Sequence, residues 1–181
     1  MSGKKVLECS SKGDKRFSAM FAKVEVFGVL DTIENHYQSC KRDAVGNPVK
    51  KGQPVDHMVL LRRKLPPEML TQWYKLLWIK YLRQHPKLVT YAAQFDEFTD
   101  AFRGKNTVNC QADVIRDCIK NPTQLMQSVS GLRAELMQIK KEVAKFQFIA
   151  GELIAAIESG SLHLEDLEQD HITRLSALLE V

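Results

Sequence analysis

The sequence lacks any apolar run of the roughly 20 residues that a membrane-crossing helix needs, so a helical integral membrane protein is excluded. Its opening, MSGKKVLECSSKG, has no apolar segment of the kind a secretory leader requires, and a cytoplasmic location is expected. Cysteine is sparse. Cys9, Cys40, Cys110 and Cys118 form no CxxC pair, which argues for reduced thiols and against a structural zinc. No metal and no cofactor is expected. The polar loop at residues 10–15 lacks the glycine spacing and the Gly-Lys-Ser/Thr ending of a P-loop, so that phosphate cradle is excluded too.

What is present suits a packed domain. The 181 residues are 44% hydrophobic and 27% charged, enough to bury a core. The net charge of +4 is unevenly spread. Residues 1–64 carry 13 Lys and Arg against 7 Asp and Glu, whereas residues 123–181 carry 5 against 9. A basic front favours a phosphate-bearing ligand or a nucleic acid. The pattern reads as α+β and mainly helical, with a small domain over residues 1–121 and a helical tail over 122–181. Strands are expected near residues 6–9 and within 17–27. Helices are expected near 32–44, 67–84, 86–94 and 111–120, with a short helix or turn at 96–103.

The richest segment runs from Arg16 to Arg42. Gly28 marks a turn, and a helix follows with Asp31 or Thr32 as its N-cap. On a helix, residues three, four and seven apart share a face, so Glu34, Tyr37, Gln38 and Lys41 project together. A carboxylate, an aromatic ring, an amide and a cation on one face suit chemistry on a sugar or a base. Ile33, Tyr37, Cys40 and Ala44 form the apolar stripe beside them.

These residues resemble the NADAR superfamily. The matching pieces are Phe17-Ser18, then Glu34, His36, Tyr37, Gln38 and Lys41, then Lys80-Tyr81 with Pro86 and Leu88. The order and rough spacing agree over about residues 10–115. The family's acidic position after the second helix falls near Asp100. Ala19 stands where the family carries asparagine, and the family's late Asp-Trp-Gly has only Asp113 in its place. The resemblance implies hydrolysis of an N-glycosidic bond in a ribosylated substrate, such as ADP-ribose joined to guanine in nucleic acid or in free form. Glu34, Lys80 and Asp100 are then the catalytic candidates. Arg16, Ser18, Tyr37, Gln38, Lys41, Trp78 and Asp113 are the substrate-binding candidates, with Trp73 a further ring for stacking. The alternative is a non-catalytic protein that binds a nucleotide or nucleic acid and assembles through its tail.

In the tail, Leu125, Val129, Leu132, Leu136, Ile139, Val143, Phe146, Ala150, Leu153 and Ile157 are spaced 4-3-4-3. That is a heptad seam, bounded by Pro122 and by Ser159-Gly160. Leu164, Leu167, Leu175 and Leu178 suggest a second, shorter helix. The seam can join copies of the chain into a homo-oligomer through residues 125–157, or fold back on the domain. Its length and regularity favour the oligomer.

Overall fold

The computed structural model describes residues 3–101 and 110–161. The expected loop at 106–109 and the second tail helix at 164–178 lie outside the described residues. The fold is α+β and mainly helical. The chain runs β1 (Val6–Glu8), β2 (Lys23–Val26), β3 (Val29–Thr32), α1 (Ile33–Ser39), β4 (Lys41–Arg42), β5 (His57–Leu60), β6 (Arg63–Leu65), α2 (Met69–Gln84), α3 (Pro86–Ala92), β7 (Glu97–Thr99), α4 (Gln111–Lys120), α5 (Pro122–Ser128) and α6 (Ser130–Glu158). The described residues form two compact units, one of residues 3–60 with 64–132 and one of residues 61–63 with 133–161.

In the larger unit α2 is the central pillar. Leu70, Trp73, Tyr74, Leu77, Trp78, Ile79, Tyr81 and Leu82 are all buried, which covers more than one face of the helix. A helix buried round most of its circumference sits in the middle of a core rather than on its surface. Phe17, Ile33, Met58 and Ile115, among the largest fully buried side chains, come from the segments before and after it.

The strands are short. β2 and β3 form an antiparallel hairpin in which Val26 pairs with Val29. The two residues between them, Phe27 and Gly28, both have positive φ, at 53° and 79°. This is the backbone of a tight primed turn, favourable for Gly28 and costly for Phe27. Phe27 is held there by stacking on Trp73, with ring centroids 6.1 Å apart and planes 3° from parallel.

Two expectations need correction. The helix expected over residues 32–44 ends at Ser39, and Lys41 and Arg42 instead pair antiparallel with Met58 and His57. Strand pairing satisfies their backbone groups where the helical pattern would have continued. The segment expected as a helix or turn at 96–103 contains β7, which pairs parallel with β1 from Val6↔Glu97 to Glu8↔Thr99. The partner strand lies about ninety residues away, so no local periodicity reveals it.

α6 runs for 29 residues, the first three assigned to the larger unit and the rest to the smaller. Arg63 donates to Glu142 in an ion pair of 3.3 Å. The helix ends where the seam predicts, with Gly160 at φ 71° and Ser161 N–H bonded to Ala156 O at 3.0 Å.

Candidate functional site

The site grows from the start of α1. Thr32 caps the helix, its hydroxyl accepting from Asn35 N–H at 3.1 Å. Glu34 N–H donates to Ala19 O at 2.9 Å, which ties the first turn of α1 to the Ser18-Ala19 loop. One turn later Gln38 Nε2 donates to Glu34 Oε1 at 3.0 Å. Lys51 Nζ lies 3.6 Å from the same oxygen. The Glu34 side chain is only 19% exposed, so this carboxylate borders the interior rather than open solvent. Both contacts fall on Oε1, and Oε2 takes neither.

Although Lys41 leaves the helix, it stays with the set. Its ammonium sits 3.7 Å from the centroid of the Tyr37 ring, close cation–π contact. Burial pulls its pKa below the ordinary lysine value, and the Glu34 charge offsets only part of that. A lysine of lowered pKa gives up its proton more readily near neutral pH. Tyr37 in turn meets the edge of Tyr74, with centroids 5.0 Å apart.

Asp100 reaches the same neighbourhood by another route. Gln111, the first residue of α4, donates from Nε2 to Asp100 Oδ2 at 3.2 Å and accepts from Ala19 N–H at 2.9 Å. A single residue, Ala19, therefore links Glu34 through its C=O to Gln111 and Asp100 through its N–H. Tyr74 registers both carboxylates. Burial raises its pKa strongly, the Trp78 indole offsets part of this, and the charges of Glu34 and Asp100 add to the rise.

Three buried side-chain polar atoms of the described residues have no hydrogen-bond partner: Ser18 Oγ, Gln38 Oε1 and Trp78 Nε1. Buried polar atoms are nearly always bonded, so each such atom calls for an explanation. All three belong to residues that the sequence pattern had already singled out. The Trp78 indole influences Tyr74 without closing a hydrogen bond to it, and no face of Trp78 is open to stack on a base.

The remaining candidates sit elsewhere. Lys80 is exposed on α2, two residues and so about 160° round the helix from Trp78. The structure thus places it on the solvated side. Arg16 makes a bidentate ion pair with Asp14, Nη2 to Oδ2 at 2.6 Å, and covers the Tyr91 ring at 4.6 Å. Asp113 pairs with Arg116 at 2.8 Å. Trp73 is buried, stacked on Phe27, and donates to His36 O at 3.3 Å. Gln111, Tyr74 and Lys51 were not read from the sequence. Gln111 opens a helix, where a polar side chain ordinarily reads as a cap. Lys51 lies in a turn-rich stretch, where a lysine reads as a solubilising charge.

Cysteine chemistry is disfavoured by burial, which pushes Cys40 up to about 11 and Cys118 up to about 12 and raises Cys9 and Cys110 as well. Among the described residues no group of three His, Cys, Asp or Glu could hold a metal ion, and no helix is long and apolar enough to cross a membrane. Compared with known proteins, the chain matches no family model and no curated sequence.

Proposed function

We propose that this chain is a divergent NADAR-type hydrolase that cleaves the N-glycosidic bond of a ribosylated, nucleotide-like substrate. The observation that carries the reading is the coincidence at α1. The largely buried carboxylate of Glu34 is held by Gln38, whose own Oε1 is a buried atom with no partner, and the half-buried Lys41 sits over the Tyr37 ring of the same segment.

Cleaving a C1–N bond develops oxocarbenium character on the ribose. A carboxylate at C1 stabilises that charge and takes a proton from the attacking water. Glu34 is suited to this because Gln38 fixes its orientation through Oε1. Lys41 is the proton donor to the departing base, since its depressed pKa eases transfer. Asp100, held by Gln111, is the second carboxylate of this reading, its part being to orient the sugar hydroxyls. Gln38, partly exposed on α1, offers its unbonded Oε1 to the substrate's polar edge, whereas Ser18 and Trp78 are enclosed in the core. Arg16, Lys51 and the other cations of the basic front favour phosphates. Lys80 has no part in this scheme.

A second reading is supported by Ala19, which replaces the family's asparagine. On that reading the protein binds a nucleotide or nucleic acid without cleaving it. The test is incubation with ADP-ribosylated guanine-containing DNA and with free ADP-ribosyl nucleosides, with released ADP-ribose followed by mass spectrometry. Release by the native chain and its loss in Glu34→Gln are expected. Binding with no release from any substrate contradicts the hydrolase and favours the second reading.

A further inference from the structure

We infer that the second half of α6 pairs with the same helix of a second copy of the chain, parallel and in register. The heptad spacing runs from Leu125 to Ile157 in the sequence, but Leu125 lies on α5 and Val129 in the break after it. Only the positions from Leu132 onward share α6, and the two halves are used differently. Leu125 and Val129 are buried against Ile79 with Leu76 and Met126 around them, and Leu132 is fully buried as well. Past Ile139 the same line lies open. Val143 is 47% exposed, and Phe146, Ala150, Leu153 and Ile157 are only partly covered. A seam that packs where it meets its own domain, and continues unbroken beyond, is a surface for another helix.

The residue types say which helix. In heptad terms Val143, Ala150 and Ile157 occupy a positions, and Phe146 and Leu153 occupy d positions. Within parallel coils, β-branched residues at a with leucine at d favour two strands, and Val143, Leu153 and Ile157 follow that pattern. In a parallel pair in register, each g residue faces the e residue five places on in the other helix. That sets Ile149 against Ile154 of the second copy, and Glu142 against Gln147 of the second copy. Ile154 is 56% exposed on the single chain, and an isoleucine at both flanks has no use on a solvated helix. The other occupant to weigh is the chain's own residues 162–181. Between Leu167 and Leu175 the line they offer carries His171 and Arg174, which do not match five consecutive apolar positions.

The test is sedimentation of the full chain from about 1 to 100 µM, a range that spans ordinary dimer affinities, together with Leu153→Glu and Ile157→Cys. Trp73 and Trp78 lie in the larger unit, so their fluorescence melt shows whether that unit still folds. The native chain is expected to dimerise. Leu153→Glu is expected to raise the dissociation constant at least about 100-fold, because it buries two unpaired carboxylates, while leaving the tryptophan melt unchanged. Under oxidising conditions Ile157→Cys is expected to cross-link two copies, since only a parallel in-register pair brings that position against itself. A native chain that stays monomeric at the highest concentration overturns the inference. If Leu153→Glu then expands the monomer, residues 162–181 are the occupant. A dimer indifferent to Leu153→Glu, or one that Ile157→Cys fails to link, overturns the seam or its register.

Discussion

At the scale of single residues, Gly13 and Glu8 show how close packing and charge fix the ground beneath Asp100. A Cβ at Gly13 would lie 2.2 Å from the Glu8 carbonyl oxygen, a backbone atom that cannot swing away. Gly13→Ala is therefore expected to destabilise the fold by about 2 kcal/mol in urea denaturation, with no effect on charge. The Glu8 carboxylate accepts from Ser10 N–H, Ala101 N–H and the Thr99 hydroxyl at 2.8–3.0 Å. Burial pushes its pKa up, but these hydrogen bonds outweigh it and hold the value below the ordinary 4.5. A carboxylate with a lowered folded-state pKa contributes stability that is complete above 4.5 and disappears as pH falls through the folded value. Glu8→Gln is thus expected to be less stable than the native chain at neutral pH, with the gap closing on acidification. A gap independent of pH contradicts this. Lys41 has the opposite sense. Burial lowers its pKa, so its charged form costs stability below the folded value, and that cost fades as pH rises toward 10.5. Relative to Lys41→Met, the native chain should gain stability across that alkaline window in urea titrations. A relative loss contradicts the assignment of a desolvated ammonium.

At the scale of elements, much was legible because the governing forces were local. The proline at the start of α3, the Thr32 cap of α1, and the span of α4 from Gln111 to Lys120 all follow from capping and periodicity. Thr32→Ala is expected to cost about 1 kcal/mol, because it takes the cap from Asn35 N–H in the first turn of a seven-residue helix. Chemical denaturation measures it, and an unchanged midpoint contradicts the role of the cap. What was not legible depended on distant partners. β7 exists because β1 lies beside it, and Lys41 leaves its helix because Met58 and His57 offer strand pairing. The tail shows the same division. Its seam was plain in the spacing, but spacing cannot tell that Leu125, Val129 and Leu132 are consumed inside the larger unit.

At the scale of the whole molecule, the candidate site was partly legible for a related reason. Glu34, Tyr37, Gln38 and Lys41 lie within eight residues, and even after the helix ends early the fold keeps Lys41 over Tyr37. Asp100 joins them through Gln111 and Ala19, a link whose members are up to 92 residues apart and which no sequence pattern displays. Lys80 matched the motif by its order in the chain, yet helical rotation carries it to the exposed side of α2. On the proposed function, cleavage belongs to the α1 cluster. The most direct measurement is the single-turnover rate of ADP-ribose release by the native chain, Glu34→Gln and Lys80→Met, compared side by side. A fall of at least about 100-fold is expected for Glu34→Gln and a change within about twofold for Lys80→Met. A Glu34→Gln enzyme of near-native rate, or a Lys80→Met enzyme that is inactive, contradicts the proposed function.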